Sequence, residues 1–232
     1  MGSEQTIGKA TTMGALWCSF RKFVSDDSMS IMLFSLFLVC IAGQSVSGWF
    51  AYNESLQAGH FRQIAFGSYL GTGDFLDGVF SNWQAAILQL AVLIVFGSVL
   101  RQKGAAHSRK TNPGSHRTLD WKLSLRPTVH GWLYANSLSL AFFGMFIVAF
   151  ALHALFGEWK YNEDQALRHL PSTSLGSYAG SSSFWFSVFQ CWEAEFSAIG
   201  IYIVLTIFLR QENSSESKPV GASDKQTGGA NE

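Results

Sequence analysis

The chain has 232 residues, of which 14% are Asp, Glu, Lys or Arg, against about 25% in an ordinary soluble domain. Hydrophobic residues make up 48%, aromatics 15%, and the formal net charge is zero, a balance that excludes an intrinsically disordered chain and a basic nucleic-acid binder. Cys18, Cys40 and Cys191 are too few and too scattered for a disulfide framework, a CxxC pair or a cysteine zinc site.

Residues 1–27 form an N-terminal segment in which Met13, Leu16, Trp17 and Phe20 recur at helical spacing with Arg21 and Lys22 opposite. That pattern predicts an interfacial amphipathic helix over 13–24. The stretch 31–50 holds no charged residue and is long enough for a membrane-spanning helix, which needs about 20 apolar residues. It is longer than the core of a signal peptide and reads as a retained span. A loop over 51–78 follows, then a second charge-free span over 79–100. The connector at 111–136 is basic and broken by Pro113 and Pro127, with Leu119, Trp121, Leu123 and Leu125 alternating, as expected of an extended segment lying on an anionic leaflet. A third span covers 137–157, a second loop 158–183 and a fourth span 184–209. From 213 to 232 the chain is Ser, Glu, Lys and Gly, the composition of a disordered tail.

None of the four spans alternates as an outer-membrane strand does, and backbone amides in hydrocarbon must pair internally, so all four are helices. Thirteen of the sixteen Lys and Arg residues fall before the first span, between the second and third, or after the fourth; only Arg62, Lys160 and Arg168 lie in the other two loops. The positive-inside rule then predicts both termini in the cytoplasm and the 51–78 and 158–183 loops outside.

The second half matches the first, without a gap, 109 positions on. Tyr52-Asn53-Glu54 pairs with Tyr161-Asn162-Glu163, and His60 with His169. Gly67-Ser68-Tyr69 pairs with Gly176-Ser177-Tyr178, Trp83 with Trp192, and Leu100-Arg101-Gln102 with Leu209-Arg210-Gln211. The reading is a duplicated two-helix unit, 28–110 and 137–212, whose even number of spans makes the copies parallel. The expected fold is an all-α membrane protein of four transmembrane helices.

These segments, together with Asn82-Trp83-Gln84, Trp192-Glu193-Ala194-Glu195-Phe196 and Glu216-Ser217-Lys218-Pro219-Val220, resemble a bacterial family of uncharacterised multi-pass membrane proteins, a domain of unknown function. The resemblance covers about residues 28–220 and implies no activity. The family pattern follows each Trp with Gln-Ser-Glu-Phe. This chain departs from it at Ala85, Ala86 and Ile87 and at Glu193 and Ala194, so Glu195 alone keeps the carboxylate.

Five polar side chains interrupt the spans. Gln44 aligns with His153, Gln84 with Glu193, and Ala86 with Glu195. At 1.5 Å per residue, Gln44, Gln84, His153, Glu193 and Glu195 lie about 20–24 Å from the inner helix ends, one layer in the outer third of the bilayer. His153 is expected to meet Glu195 or Glu193 there, either as a hydrogen-bonded clasp between helices or as a proton-handling pair. Outside the membrane, Tyr52, Asn53, Glu54, His60, Tyr161, Asn162, Glu163 and His169 form a duplicated set. Two His and two Glu could supply a zinc or manganese site, though Glu-x5-His is no metal signature; the other reading is a structural cap in which Asn turns the backbone. Trp83 and Trp192 read as anchors in an aromatic belt.

No P-loop, Rossmann, Gly-x-Ser-x-Gly or His-Glu-x-x-His motif is present, so no catalytic residue, metal or cofactor is assigned. The expected function is that of a non-catalytic scaffold or accessory subunit. Its partners would be the lipid bilayer, a second copy or another protein, met through the cap or the basic connector. The alternative is a small transporter or channel for protons or a small solute, built on His153 and Glu195.

Overall fold

A computed structural model describes residues 22, 24–108 and 128–228. Most of the 13–24 helix and the alternating part of the connector lie outside the described residues. Two compact units divide the chain at Leu70 and Gly71. Among the described residues every regular element is a helix.

The first unit contains α1 (Ser28–Ala58) and the single turn α2 (Phe66–Tyr69). Thirty-one residues make α1 about 46 Å long, well beyond the roughly 30 Å of a bilayer core. The last turns of α1 bind the chain that follows. Asn53 accepts from the Ile64 amide through Oδ1 at 2.8 Å and donates to the Ile64 carbonyl at 3.0 Å, while the Trp49 indole donates to the same carbonyl at 2.8 Å. The Tyr69 hydroxyl closes over Gly48, where a side chain would collide with it.

The second unit contains α3 (Gly73–Val99), α4 (Val129–Ala135), α5 (Ser137–Leu167), α6 (Leu175–Ala179) and α7 (Ser182–Phe208). α3 packs along α5 and also against α7, and α6 touches both α5 and α7. The core between them is Tyr178, Phe184 and Val188, with Phe150, Ala154, Tyr161 and Trp192 around it. The outward faces keep large apolar side chains exposed, such as Met145, Ile147 and Val148 on α5 and Ile201 and Val204 on α7. Among the described residues four helices, α1, α3, α5 and α7, are long and apolar enough to cross a membrane, and the chain reads as a membrane-embedded protein.

Helices do not stop where hydrophobicity stops. α1 and α5 run on to Ala58 and Leu167 instead of 50 and 157, and α3 and α7 begin at Gly73 and Ser182, ahead of 79 and 184. Tyr52-Asn53-Glu54 and Tyr161-Asn162-Glu163 are therefore helical and not loop residues. A helix ends at a backbone device, and here the device is His60 (φ 62°) and His169 (φ 56°) in the left-handed region. After each, the next amide reaches back five residues, Phe61 to the Leu56 carbonyl at 2.8 Å and Leu170 to the Gln165 carbonyl at 2.9 Å, as in a Schellman closure. The restarts are capped by Thr72, accepting from the Phe75 amide at 3.4 Å, and Ser181, accepting from the Phe184 amide at 3.2 Å. Ser28 and Ser137, Ala58 and Leu167, Gly73 and Ser182, and Val99 and Phe208 all stand 109 residues apart.

The tail departs furthest from expectation. Residues 211–228 form a series of turns closed around the Lys218 side chain, which is wholly buried. Composition predicts disorder because no apolar core is available. The order comes instead from hydrogen bonds to a buried ammonium.

Candidate functional site

α3 begins against α5 at closest approach. Gly73 is the first residue of α3, and a Cβ there would strike the Lys160 amide nitrogen and come within 2.6 Å of the Trp159 carbonyl carbon. Only glycine allows this contact. The Gly73 amide donates to Glu163 Oε1 at 3.0 Å, which sets a carboxylate on the positive end of the α3 dipole.

From that contact the next turn of α3 faces a stripe on α5. His153, Gly157 and Lys160 recur four and three residues apart, one above another on a single face. The Lys160 ammonium lies 3.4 Å from Asp74 Oδ1 and 3.5 Å from Asp77 Oδ2. Asp77 Oδ1 lies 3.5 Å from His153 Nε2, and Ser187 Oγ of α7 lies 3.3 Å from the same nitrogen. Gly157 makes room between them: a Cβ there would sit 2.9 Å from Asp77 Oδ1 and 2.7 Å from the Tyr178 hydroxyl. His153 is wholly buried, its ring 5.2 Å from that of Phe184. Two atoms of this cluster, Asp77 Oδ1 and His153 Nδ1, accept or donate no hydrogen bond. Burial, reinforced by the Asp77 charge and then by Tyr161, pushes the Tyr178 hydroxyl up to about 12.

A second polar contact lies two turns further along α3. Gln84 is fully buried; its Oε1 accepts from the Trp192 indole at 2.9 Å and its Nε2 donates to the Ser81 carbonyl at 3.0 Å. Next, Gln89 donates to the Glu195 backbone carbonyl at 2.8 Å. Each bond joins α3 to α7 or closes locally. Chemically the arrangement is a ladder of ion pairs and hydrogen bonds between helices, with a histidine and a carboxylate facing each other at its buried end.

The match to a family model covers residues 20–229. The chain belongs to the DUF6766 family, a domain of unknown function. No curated protein and no solved structure matches it. The DUF6766 domain therefore includes the three helices of the site and nearly the whole tail.

Of the residues singled out in the sequence, His153 and Gln84 are in the interior, but His153 does not pair with the acids of α7. Its carboxylate is Asp77 of α3. Glu193 is exposed, and Glu195 is half-buried and meets Gln89 through its backbone. Glu193 and Glu195 are two residues apart and so point about 200° apart around α7; the face turned inward carries Ser187 and Trp192. Gln44 is half-buried in the first unit. Trp83 keeps an exposed ring, but Trp192 is half-buried and tied to Gln84, so the two indoles differ in role.

The residues of the expected cap mostly hold backbone. Asn162 binds the Thr173 amide at 2.7 Å and carbonyl at 3.0 Å, as Asn53 binds Ile64. Tyr52 lies against Tyr69 and Tyr161 against Tyr178, ring centres 5.6 and 5.5 Å apart, while His60 and His169 end their helices. Glu163 caps α3, and Glu54 is exposed. Among the described residues no three His, Cys, Asp or Glu side chains converge as metal ligands do. Sequence reasoning missed Asp74, Asp77, Lys160, Tyr178 and Ser187. A signal existed: Asp74 and Asp77 stand three apart just ahead of an apolar run, and Lys160 is one of only three basic residues in the two loops. Hydrophobicity alone starts the span at 79 and so leaves both acids in a loop.

Proposed function

We propose that this DUF6766 protein is a non-catalytic inner-membrane scaffold or accessory subunit, with both termini in the cytoplasm, that works by binding a protein partner or a second copy. The observation that carries this reading is where the polar side chains stop. From Leu90 to Gly97 on α3 and from Leu140 to Leu152 on α5 every residue is apolar or glycine. These thirteen residues of α5 cover about 20 Å, two-thirds of a bilayer core, with no side chain to coordinate a proton or solute. The charged ladder near Gly73 then ties helices together and leads nowhere. Retention of the cap geometry in both halves, at helix bounds 109 residues apart, supports a duplicated unit that presents two related surfaces.

A second reading is a proton or solute carrier. It is favoured by one observation, the buried His153, whose Nε2 faces Asp77 while its Nδ1 has no hydrogen-bond partner; Asp77 takes the place expected of Glu195. Two measurements separate the readings. Purification of the native complex in mild detergent is expected to yield a partner or second copy at constant stoichiometry. Liposomes containing the pure protein are expected to hold a pH gradient as long as empty ones. A gradient collapse that His153→Gln abolishes would replace the scaffold with the carrier.

A further inference from the structure

Past Phe208 the chain closes on a single charge. The Lys218 ammonium donates to the carbonyl oxygens of Ile207 at 3.0 Å, Gln226 at 3.2 Å, and Ser223 and Asp224 at 3.3 Å each. An ammonium has three hydrogens, so four oxygens at nearly equal range form a cage about a point charge and not a set of separate bonds. The neighbouring carboxylate is engaged elsewhere: Asp224 Oδ1 pairs with Arg210 Nη2 at 2.8 Å, and the same guanidinium nitrogen donates to the Ala222 carbonyl at 2.9 Å.

The segment after α3 closes the other side of this turn. The Gly104 amide donates to Thr227 Oγ1 at 2.9 Å, the Gly228 amide to the Ala105 carbonyl at 3.0 Å, and the Ala106 amide to Thr206 Oγ1 at 3.4 Å. Gly104 has φ 86°, and a Cβ there would come within 2.6 Å of the Asp224 carbonyl oxygen, so glycine is required on both counts. The Tyr202 hydroxyl joins His107 at 2.8 Å to Glu216 at 3.1 Å.

What holds this tail is not apolar burial. Val220 is the one large apolar side chain between 211 and 228, and it is 65% exposed. We infer that residues 207–226 form a binding site for an ammonium-sized monovalent cation, filled by the chain's own Lys218, and that its occupancy straps the tail across the ends of α3 and α7. The donor set defines the ligand class. Neutral carbonyls suit a singly charged primary ammonium, whereas a divalent ion calls for carboxylate oxygens, and the Asp224 carboxylate is paired with Arg210. The strap also fixes the chain just after α3, because 104–106 are held by Thr227, Gly228 and Thr206.

The test uses full-length protein in lipid nanodiscs with amide hydrogen exchange as readout. Lys218→Met keeps the length of the stem and removes the charge; Lys218→Ala empties the cage. Both are expected to exchange about tenfold or more faster over 211–228, the scale of one charge-assisted hydrogen bond, while α3 and α5 keep their protection. In Lys218→Ala, ethylammonium chloride is expected to restore slow exchange, and tetramethylammonium chloride at equal ionic strength is not. Rescue by ethylammonium supports the site even if Lys218→Ala loosens the whole molecule. Unchanged exchange in both variants overturns the inference. So does faster exchange in Lys218→Ala that ethylammonium fails to slow, because the four carbonyls would then not take up a free ammonium.

Discussion

Replacing Gly73 by Ala tests the packing of α3 on α5 directly. The added methyl carbon would stand 2.6 Å from the Trp159 carbonyl carbon, where ordinary contact begins near 3.4 Å, so the start of α3 must retreat by about 1 Å. The obstacle is helix backbone, which cannot rotate aside as a side chain would. Overpacking of this kind costs about 1–3 kcal/mol, and the retreat also stretches the charge-assisted bond from the Gly73 amide to Glu163, worth about 1.5–3 kcal/mol. The two overlap, so the combined loss is set at about 3 kcal/mol, or about 6–12 °C in the unfolding midpoint of a chain this size. Gly144→Ala is the control. A Cβ at Gly144 meets nothing within 4 Å, and Ala in a helix interior is favoured over Gly by about 0.5–1 kcal/mol. Thermal unfolding of both variants in one detergent should therefore shift in opposite directions. If Gly73→Ala melts with the native protein, or no lower than Gly144→Ala, the close approach is not what seats α3.

Three further outcomes are expected. Asp77→Ala removes the carboxylate between buried His153 and Lys160 and should cost about 2–3 kcal/mol, while Asp74→Ala, at a one-third exposed position, should cost less than about 1; midpoints in the reverse order would contradict the ladder. Asn53→Ala and Asn162→Ala each strip one loop of two hydrogen bonds, so exchange at the Ile64 and Thr173 amides should rise about tenfold with α3 unaffected, and a uniform rise along the chain would mean that Asn supports the whole fold. The Tyr178 hydroxyl ionises at about 12 in the fold and at 10.0 in the open chain, so the folded state holds its proton more tightly and the associated stability, complete below pH 10, is lost between pH 10 and 12. Tyr178→Phe should flatten that part of the stability curve, and an unchanged alkaline slope would remove Tyr178 as its cause.

Much was legible without coordinates wherever the governing physics is local. A run of some twenty apolar residues needs no partner to be recognised as a span, because the cost of bare backbone in lipid depends on the run alone. The paired Tyr-Asn-Glu and His positions were legible for a similar reason: each Asn acts eleven residues away, within its own loop. The partner of His153 was not, because that depends on where α3 starts. Six residues of extra helix ahead of 79 turn Asp74 and Asp77 from loop acids into a charged face set against α5.

Composition misjudged the tail for a different reason. Rules for order weigh apolar burial, and 211–228 buries almost none, yet an ammonium enclosed by four carbonyls organises the same chain through charge and geometry. The amino-acid order alone thus determined that this protein lives in lipid as four helices, because hydrophobic run length is additive along the chain. Which acid faces His153, and what Lys218 binds, were decided only in three dimensions, because a contact between distant residues depends on helix phase, helix start and the approach that a single glycine permits.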